Sequence, residues 1–163
     1  MTCKREKGSV SGCYCKGSVC DVRLGKPVDN AALLELPVDV LVPAALESVI
    51  TKQNAGGIKA KYIIELANGA ITDDAYPILE KNGITVVPGI LANAGGVVVS
   101  YFEWAQGLQG YYWSLEEVNR RLQETLHAAF SQLWEVHTTH NISIAQAAYV
   151  AAISRIIAGM RAG

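Results

Sequence analysis

Three short runs, VDVLVPA (38–44), KYIIELA (61–67) and ITVVPGI (84–90), are apolar almost throughout and rich in β-branched residues. That pattern belongs to strands of a parallel sheet covered on both faces. Pro43 stands near the end of the first run, where a strand tolerates it. Helical segments are predicted around the runs. Asp29 or Asn30 is placed to cap a short helix over AALLEL (31–36). Residues 46–55 predict another, ended by Gly56 and Gly57. Thr72 is placed to cap a helix over 73–81, with Asp73 and Asp74 favourable at its start and Gly83 at its end. Pro77 falls inside that span and removes a backbone donor, a defect worth up to about 3 kcal/mol unless the helix starts later.

The remainder of the chain is helical in pattern. Residues 94–108 are apolar on nearly every side, which predicts a buried helix. Ser114 and Glu117 have capping-box spacing, and Leu115, Val118, Leu122, Leu126, Ala129 and Leu133 then recur on one helix face. Ser143 is placed to cap a last helix, in which Tyr149, Ile153, Ile156, Ile157 and Met160 repeat in the same way. Strand–helix alternation followed by helices implies an α/β fold with right-handed crossovers. We expect a partial Rossmann-like parallel sheet of about three strands, followed by C-terminal helices. Residues 1–27 show no period and read as a loop-rich or disordered lead-in to residues 28–163.

Composition narrows the function classes. At 163 residues, half of them hydrophobic and 18% charged, the chain suits one globular unit rather than a disordered one. Its net charge of −1 offers nothing to nucleic acid or an anionic membrane. No apolar run reaches the roughly 18 residues of a membrane span, and MTCKREKGSV lacks the core of a signal peptide. A cytoplasmic location is the default expectation. Cys3, Cys13, Cys15 and Cys20 lie within the first twenty residues, without paired C-x-x-C spacing or a nearby histidine, and read as reduced loop thiols. His127, His137 and His140 have no carboxylate or thiol at ligand spacing, so no metal site is expected. Trp104, Tyr111, Tyr112 and Trp113 read as core or interface packing.

The stretch PGILANAGGVVVSYFEW (88–104) carries the candidate chemistry. It reads as strand, tight turn and helix, and open α/β sheets bind ligands at the carboxyl ends of their strands. Asn93 has both a donor and an acceptor with which to read a carboxamide, and Gly95 and Gly96 let backbone approach a ligand. Ser100 follows Gly96 and Val97 by about one turn, so the three share a face. No G-x-G-x-x-G follows a strand anywhere in the chain.

These residues, together with VDVLVPAALESVIT (38–51), IKAKYIIELANG (58–69) and SYFEWAQGLQGYYWS followed by LEEVNRRL (100–122), resemble the C-terminal part of the glutamate, leucine, phenylalanine and valine dehydrogenase family. Glutamate dehydrogenase is the member they are most similar to. The resemblance implies that residues 28–163 are the C-terminal half of a dinucleotide-binding domain plus C-terminal helices. The family's substrate domain, with its catalytic lysine and aspartate, and the first Rossmann half lie outside the matching region. It implies NAD or NADP as cofactor, with weak or vestigial binding here, and the oxidative deamination of glutamate to 2-oxoglutarate and ammonia as the family reaction. Ala44 and Ala45 match the turn beside the cofactor, and Asn68 the nicotinamide ribose region. Asn93 matches a contact to nicotinamide or substrate. Val97 and Ser100 match residues lining the substrate pocket, the serine holding the side-chain carboxylate of glutamate. No residue of this chain matches a catalytic one.

Departures from the family pattern accompany these matches. Leu66 replaces a glycine in the family's usual E-G-A-N-G-P-T-T, which reads Glu65 to Thr72 here, and Gly89 replaces an aspartate after Val87 and Pro88. The chain alone is therefore expected to be inactive. Two alternatives stay open: one subunit of a split amino-acid dehydrogenase, or a non-catalytic oligomerisation or regulatory module. The partner expected is a second copy or a dehydrogenase subunit.

Overall fold

A computed structural model describes residues 28–162 and the backbone of two strands before them. The chain divides into two units, Met1–Pro37 and Val38–Gly163. In the first, β1 (Tyr14–Lys16) and β2 (Val19–Asp21) pair antiparallel with Cys15 opposite Cys20. Cys3, Cys13 and the rest of the expected lead-in lie outside the described residues. Helix α1 (Asn30–Leu34) follows, and Asp29 caps it by accepting from the Ala32 amide at 2.7 Å. Of the two caps open in the sequence, Asp29 is the one used.

The second unit is built on a three-stranded parallel sheet in the order β3 (Val40–Leu41), β4 (Tyr62–Ile64), β5 (Thr85–Val87). Val40 pairs with Tyr62, and Tyr62 with Thr85. Each strand is shorter than its apolar run because the run's end leaves the sheet, as a loop after β3 and β4 and as the start of a helix at Gly89 after β5. Ile50, Ile63, Ala70, Ile71, Ala75 and Leu79 are buried in this unit, with Ile50, Ile63 and Leu79 the largest side chains fully enclosed.

Two helices depart from expectation. No α-helix forms over 46–55. Ser48 has φ +52, outside the helical region, and Ile50 instead forms a parallel bridge with Ile71. Asn54 takes over locally: its Oδ1 accepts from the Thr51 amide and its Nδ2 donates to the Val49 carbonyl, both at 2.8 Å. Only a 3₁₀ turn, Ala55–Gly57, remains. Helix α2 begins at Tyr76, not 73, and runs to Lys81. Pro77 thus lies in the first turn, where its missing N–H has no helical partner to lose.

After β5 the expected strand–turn–helix becomes strand, short helix, helix. Helix α3 (Gly89–Ala92) starts after Pro88, and Asn93 is the joint to α4 (Ala94–Gln109). Gly95 and Gly96 fall in the first turn of α4 rather than in a tight turn, and a Cβ on either meets nothing closer than 3.9 Å. Helix α4 has the expected span but not the expected burial. Only Phe102 and Gln106 are buried, while Val97, Tyr101, Trp104 and Leu108 are exposed.

Helix α5 (Leu115–His140) is capped by Ser114, whose hydroxyl accepts from the Glu117 amide. The reciprocal half of the box is absent, because the Glu117 carboxylate binds Arg120 and Arg121. Of the predicted face, Leu133 alone is buried, and Leu115 is exposed. Helix α6 (Ile144–Ala162) has a full capping box: the Gln146 amide donates to Ser143 Oγ and the Ser143 amide to Gln146 Oε1, both at 3.1 Å. Its buried stripe is Ala147, Ala148 and Ala151, not the larger residues. Alanines let α6 approach α5 closely around Leu133, leaving Tyr149, Ile153, Ile156, Ile157 and Met160 exposed. Trp113 packs on Phe102 at 5.6 Å and under the Arg121 guanidinium at 4.2 Å, whereas Trp104, Tyr111 and Tyr112 are exposed. No single helix among the described residues is long and apolar enough to cross a membrane.

Candidate functional site

The carboxyl ends of β3, β4 and β5 release three turns on the same end of the sheet, and backbone hydrogen bonds lace them together. The Pro43 carbonyl accepts from the Leu66 and Ala67 amides at 3.0 and 2.9 Å. The Gly69 carbonyl accepts from Ser48 at 2.7 Å, and Ala70 from Ile50 at 3.0 Å. Gly69 has φ +60, a conformation that makes glycine the favoured residue after Asn68.

The two asparagines singled out in the sequence meet here. Asn93 Nδ2 donates to Asn68 Oδ1 at 2.6 Å and to the Leu66 carbonyl at 3.3 Å. Asn68 sits in the turn after β4 and Asn93 at the joint of α3 and α4, so the contact spans two of the three turns. Asn68 Nδ2 and Asn93 Oδ1 are the pair's remaining donor and acceptor, the complement of a carboxamide. Asn68 is exposed and Asn93 half-buried, so the pair is reachable.

Ala44 and Ala45 lie exposed in the turn after β3, directly beyond Pro43. Val97 and Ser100 are exposed on α4, and Val97 at 70% is among its most open positions. Ser100 Oγ donates to the Gly96 carbonyl at 3.0 Å. Its proton is thus engaged within the helix, and holding a carboxylate requires the hydroxyl to rotate away. All the sequence-derived positions belong to the strand-end turns or to the first turns of the helix that follows them.

Sequence reading missed Glu65. This carboxylate is only 3% exposed, at the end of β4. Its Oε1 accepts from the Ile71 amide at 3.0 Å, and its Oε2 from Tyr76 Oη at 2.6 Å and the Gly89 amide at 3.2 Å. Burial first, and then the bond to Glu65, push the Tyr76 hydroxyl far above the ordinary tyrosine range, so it stays a donor. An acidic residue at the end of an otherwise apolar strand was the signal available. Gly89, which replaces the family's aspartate, lies against this group: a Cβ there would stand 3.6 Å from Glu65 Cβ.

Beyond the turns, a cavity of about 310 Å³ opens between α2 and the start of α6, lined in part by Glu65, Asp73, Tyr76, Glu80 and Tyr149. Among the described residues, no three His, Cys, Asp or Glu side chains are grouped to hold a metal ion. His137 instead bonds through Nδ1 to the Ile142 carbonyl and packs against Trp134.

The sequence profile of the Glutamate/Leucine/Phenylalanine/Valine dehydrogenase family matches residues 1–163. An NADP-specific glutamate dehydrogenase of Synechocystis sp. is 45% identical over 159 residues, 98% of this chain and 37% of the relative. A glutamate dehydrogenase of Thermotoga maritima is 49% identical over 140 residues, 86% of this chain and 34% of the relative. Among solved structures, the hetero-hexameric glutamate dehydrogenase of Thermus thermophilus, in a Leu-bound form, is similar with TM-score 0.78 and 25% identity, over 94% of this chain and 34% of that one. The Peptoniphilus asaccharolyticus glutamate dehydrogenase is similar with TM-score 0.70 and 41% identity, over 74% and 30%. The chain thus spans about a third of the length of these relatives.

Proposed function

The chain belongs to the Glutamate/Leucine/Phenylalanine/Valine dehydrogenase family, and we propose that it carries the nicotinamide- and substrate-facing turns of a glutamate dehydrogenase without the catalytic groups. The observation that carries this reading is the Asn68–Asn93 pair, bonded at 2.6 Å across two turns at the carboxyl end of a parallel sheet. In the complete reaction, hydride passes from the amino acid's α-carbon to NAD or NADP, and the imino acid is hydrolysed to 2-oxoglutarate and ammonia. The fit of these residues to the cofactor rests on their chemistry. Asn68 Nδ2 and Asn93 Oδ1 would hold a carboxamide, and the exposed turn at Ala44 and Ala45 would pass beside it. Val97 would wall the substrate, and Ser100 would reach its side-chain carboxylate once released from Gly96.

Nothing in this chain matches the proton-transferring side chains of the family. A positioned acid or base typically contributes a factor of about 10² to 10⁴, and orientation adds more. Purified chain is expected to show no glutamate-dependent reduction of NAD or NADP at 340 nm. Turnover that survives removal of host dehydrogenase would overturn this. Because the family's pyrophosphate-binding turn and helix lie outside the matching region, affinity for either nucleotide should be about millimolar or weaker, near −4 kcal/mol. A low-micromolar constant by calorimetry would contradict the half-site.

Exposed apolar surface on α4 and α6 favours assembly with a partner. The partner proposed is a dehydrogenase subunit carrying the substrate domain, or a second copy of this chain. Turnover gained on mixing with such a subunit supports the split enzyme; binding without turnover supports a non-catalytic module.

A further inference from the structure

We propose that Glu65 is the positioning residue of the Asn68–Asn93 pair, its buried carboxylate fixing the spacing of the two turns that carry them. The inference rests on the reading of that pair as a cofactor-facing site. Its basis is that one carboxylate holds both limbs of the pair.

On one limb, Oε1 accepts from the Ile71 amide at 3.0 Å, closing the 65–71 turn around Asn68. On the other, Oε2 accepts from the Gly89 amide at 3.2 Å, the first residue of α3. Asn93 ends that same helix, its own amide donating to the Gly89 carbonyl at 3.0 Å. A shift of Gly89 is therefore a shift of Asn93. Tyr76 supplies the third donor and ties the carboxylate to α2. Three donors converge on two oxygens, so an acceptor-only group is required. The amide of a glutamine would bring its own N–H₂ against at least one of them. Charge-assisted hydrogen bonds are also shorter and stronger than neutral ones, which suits a clasp that must hold a distance.

The test reads the asparagine side chains by nuclear magnetic resonance in the purified chain. In the wild type, the Asn93 carboxamide protons should be widely separated in shift, because Nδ2 donates closely to Asn68 Oδ1, at 2.6 Å, and only loosely to the Leu66 carbonyl, at 3.3 Å. Glu65→Gln is expected to collapse that separation and to move the Asn68, Ile71 and Gly89 peaks with it. Phe102→Leu, which loosens packing on Trp113 instead, should leave them in place. If Glu65→Gln leaves the asparagine peaks where they were while lowering the melting temperature, Glu65 is a structural carboxylate only and the proposal falls. Tyr76→Phe guards against a variant that does not fold. It removes one donor and keeps the charge, so the carboxylate should tighten on Gly89 and displace the Gly89 and Asn93 peaks together. Peaks that hold still in Tyr76→Phe would equally overturn the proposal. Adding NADH or NADPH to the wild type is a separate reading: failure of either to move the Asn93 peak at millimolar concentration counts against the cofactor site, while the response to Glu65→Gln still decides the clasp.

Discussion

The strand-end turns and the helical tail solve opposite problems with similar amounts of apolar sequence. At the turns, nearly every polar group is answered from within. Glu65 satisfies three donors, Pro43 two amides, and Asn93 both Asn68 and the Leu66 carbonyl. Ile50, Ile63 and Leu79 are sealed beneath. In α6 of the tail, small residues are buried and large ones are not: it hides Ala147, Ala148 and Ala151 and displays Tyr149, Ile153, Ile156 and Met160. The sheet end is closed in its polar groups and its deepest side chains, although Val40, Val42, Leu46 and Tyr62 stay exposed, whereas α6 exposes its largest apolar side chains.

The largest expected effect separates the two regions directly. Leu79→Ala should cost about 2–5 kcal/mol of stability, because a fully enclosed side chain leaves a cavity. Ile153→Ala on the tail should stay within about 0.5 kcal/mol, since that side chain is 54% exposed. Urea denaturation of both variants compares them, and equal losses would erase the contrast. A second measurement sharpens it. If the exposed stripe of α6 joins two chains, Ile153→Glu should lower the mass found by light scattering at tens of micromolar while leaving the melting temperature of the sheet intact. A wild-type chain that is monodisperse and monomeric would refute self-association.

Ser143→Ala should weaken the start of α6 by about 1 kcal/mol, because the hydroxyl caps the Gln146 amide. The same substitution at the turns has no counterpart, since there the caps are backbone and Glu65. The smallest effect is electrostatic. Hydrogen bonds from Arg120 and then Arg121 hold the Glu117 carboxyl at about 2, below its ordinary 4.5. A depressed carboxyl pKa contributes stability above the unfolded value, and that contribution is lost as pH falls through the folded one. The start of α5 should therefore fray only as pH drops from about 4.5 toward about 2. The exposed ion pairs are screened by salt. A Glu117 carboxyl resonance titrating at its ordinary value in low salt would contradict the arrangement.

Much of the fold was legible because its signals are local. Apolar β-branched runs marked β3, β4 and β5, and Asp29, Ser114 and Ser143 announced their helices one residue ahead. The expected helix over 46–55 failed through a non-local contact, the bridge from Ile50 to Ile71, and through Asn54 competing for the backbone. Burial in the tail was misread because periodicity shows which residues share a face, not which face is covered. The asparagines could be nominated from residue type, but Glu65 could not be recognised as a clasp: its donors are 6, 11 and 24 residues away.

The order of the sheet has a consequence for how the chain comes into being. Its strands pair in the sequence in which they are synthesised, Val40 with Tyr62 and then Tyr62 with Thr85. Two loop closures of nearly equal, modest length build the sheet, and loop-closure entropy grows only slowly with length. No strand must wait for one made much later. During vectorial synthesis the clasp can complete once Gly89 has emerged, before α4, α5 and α6 have left the ribosome. The nascent chain can therefore settle its most demanding polar geometry first. Only afterwards do the exposed apolar side chains of α4 and α6 emerge.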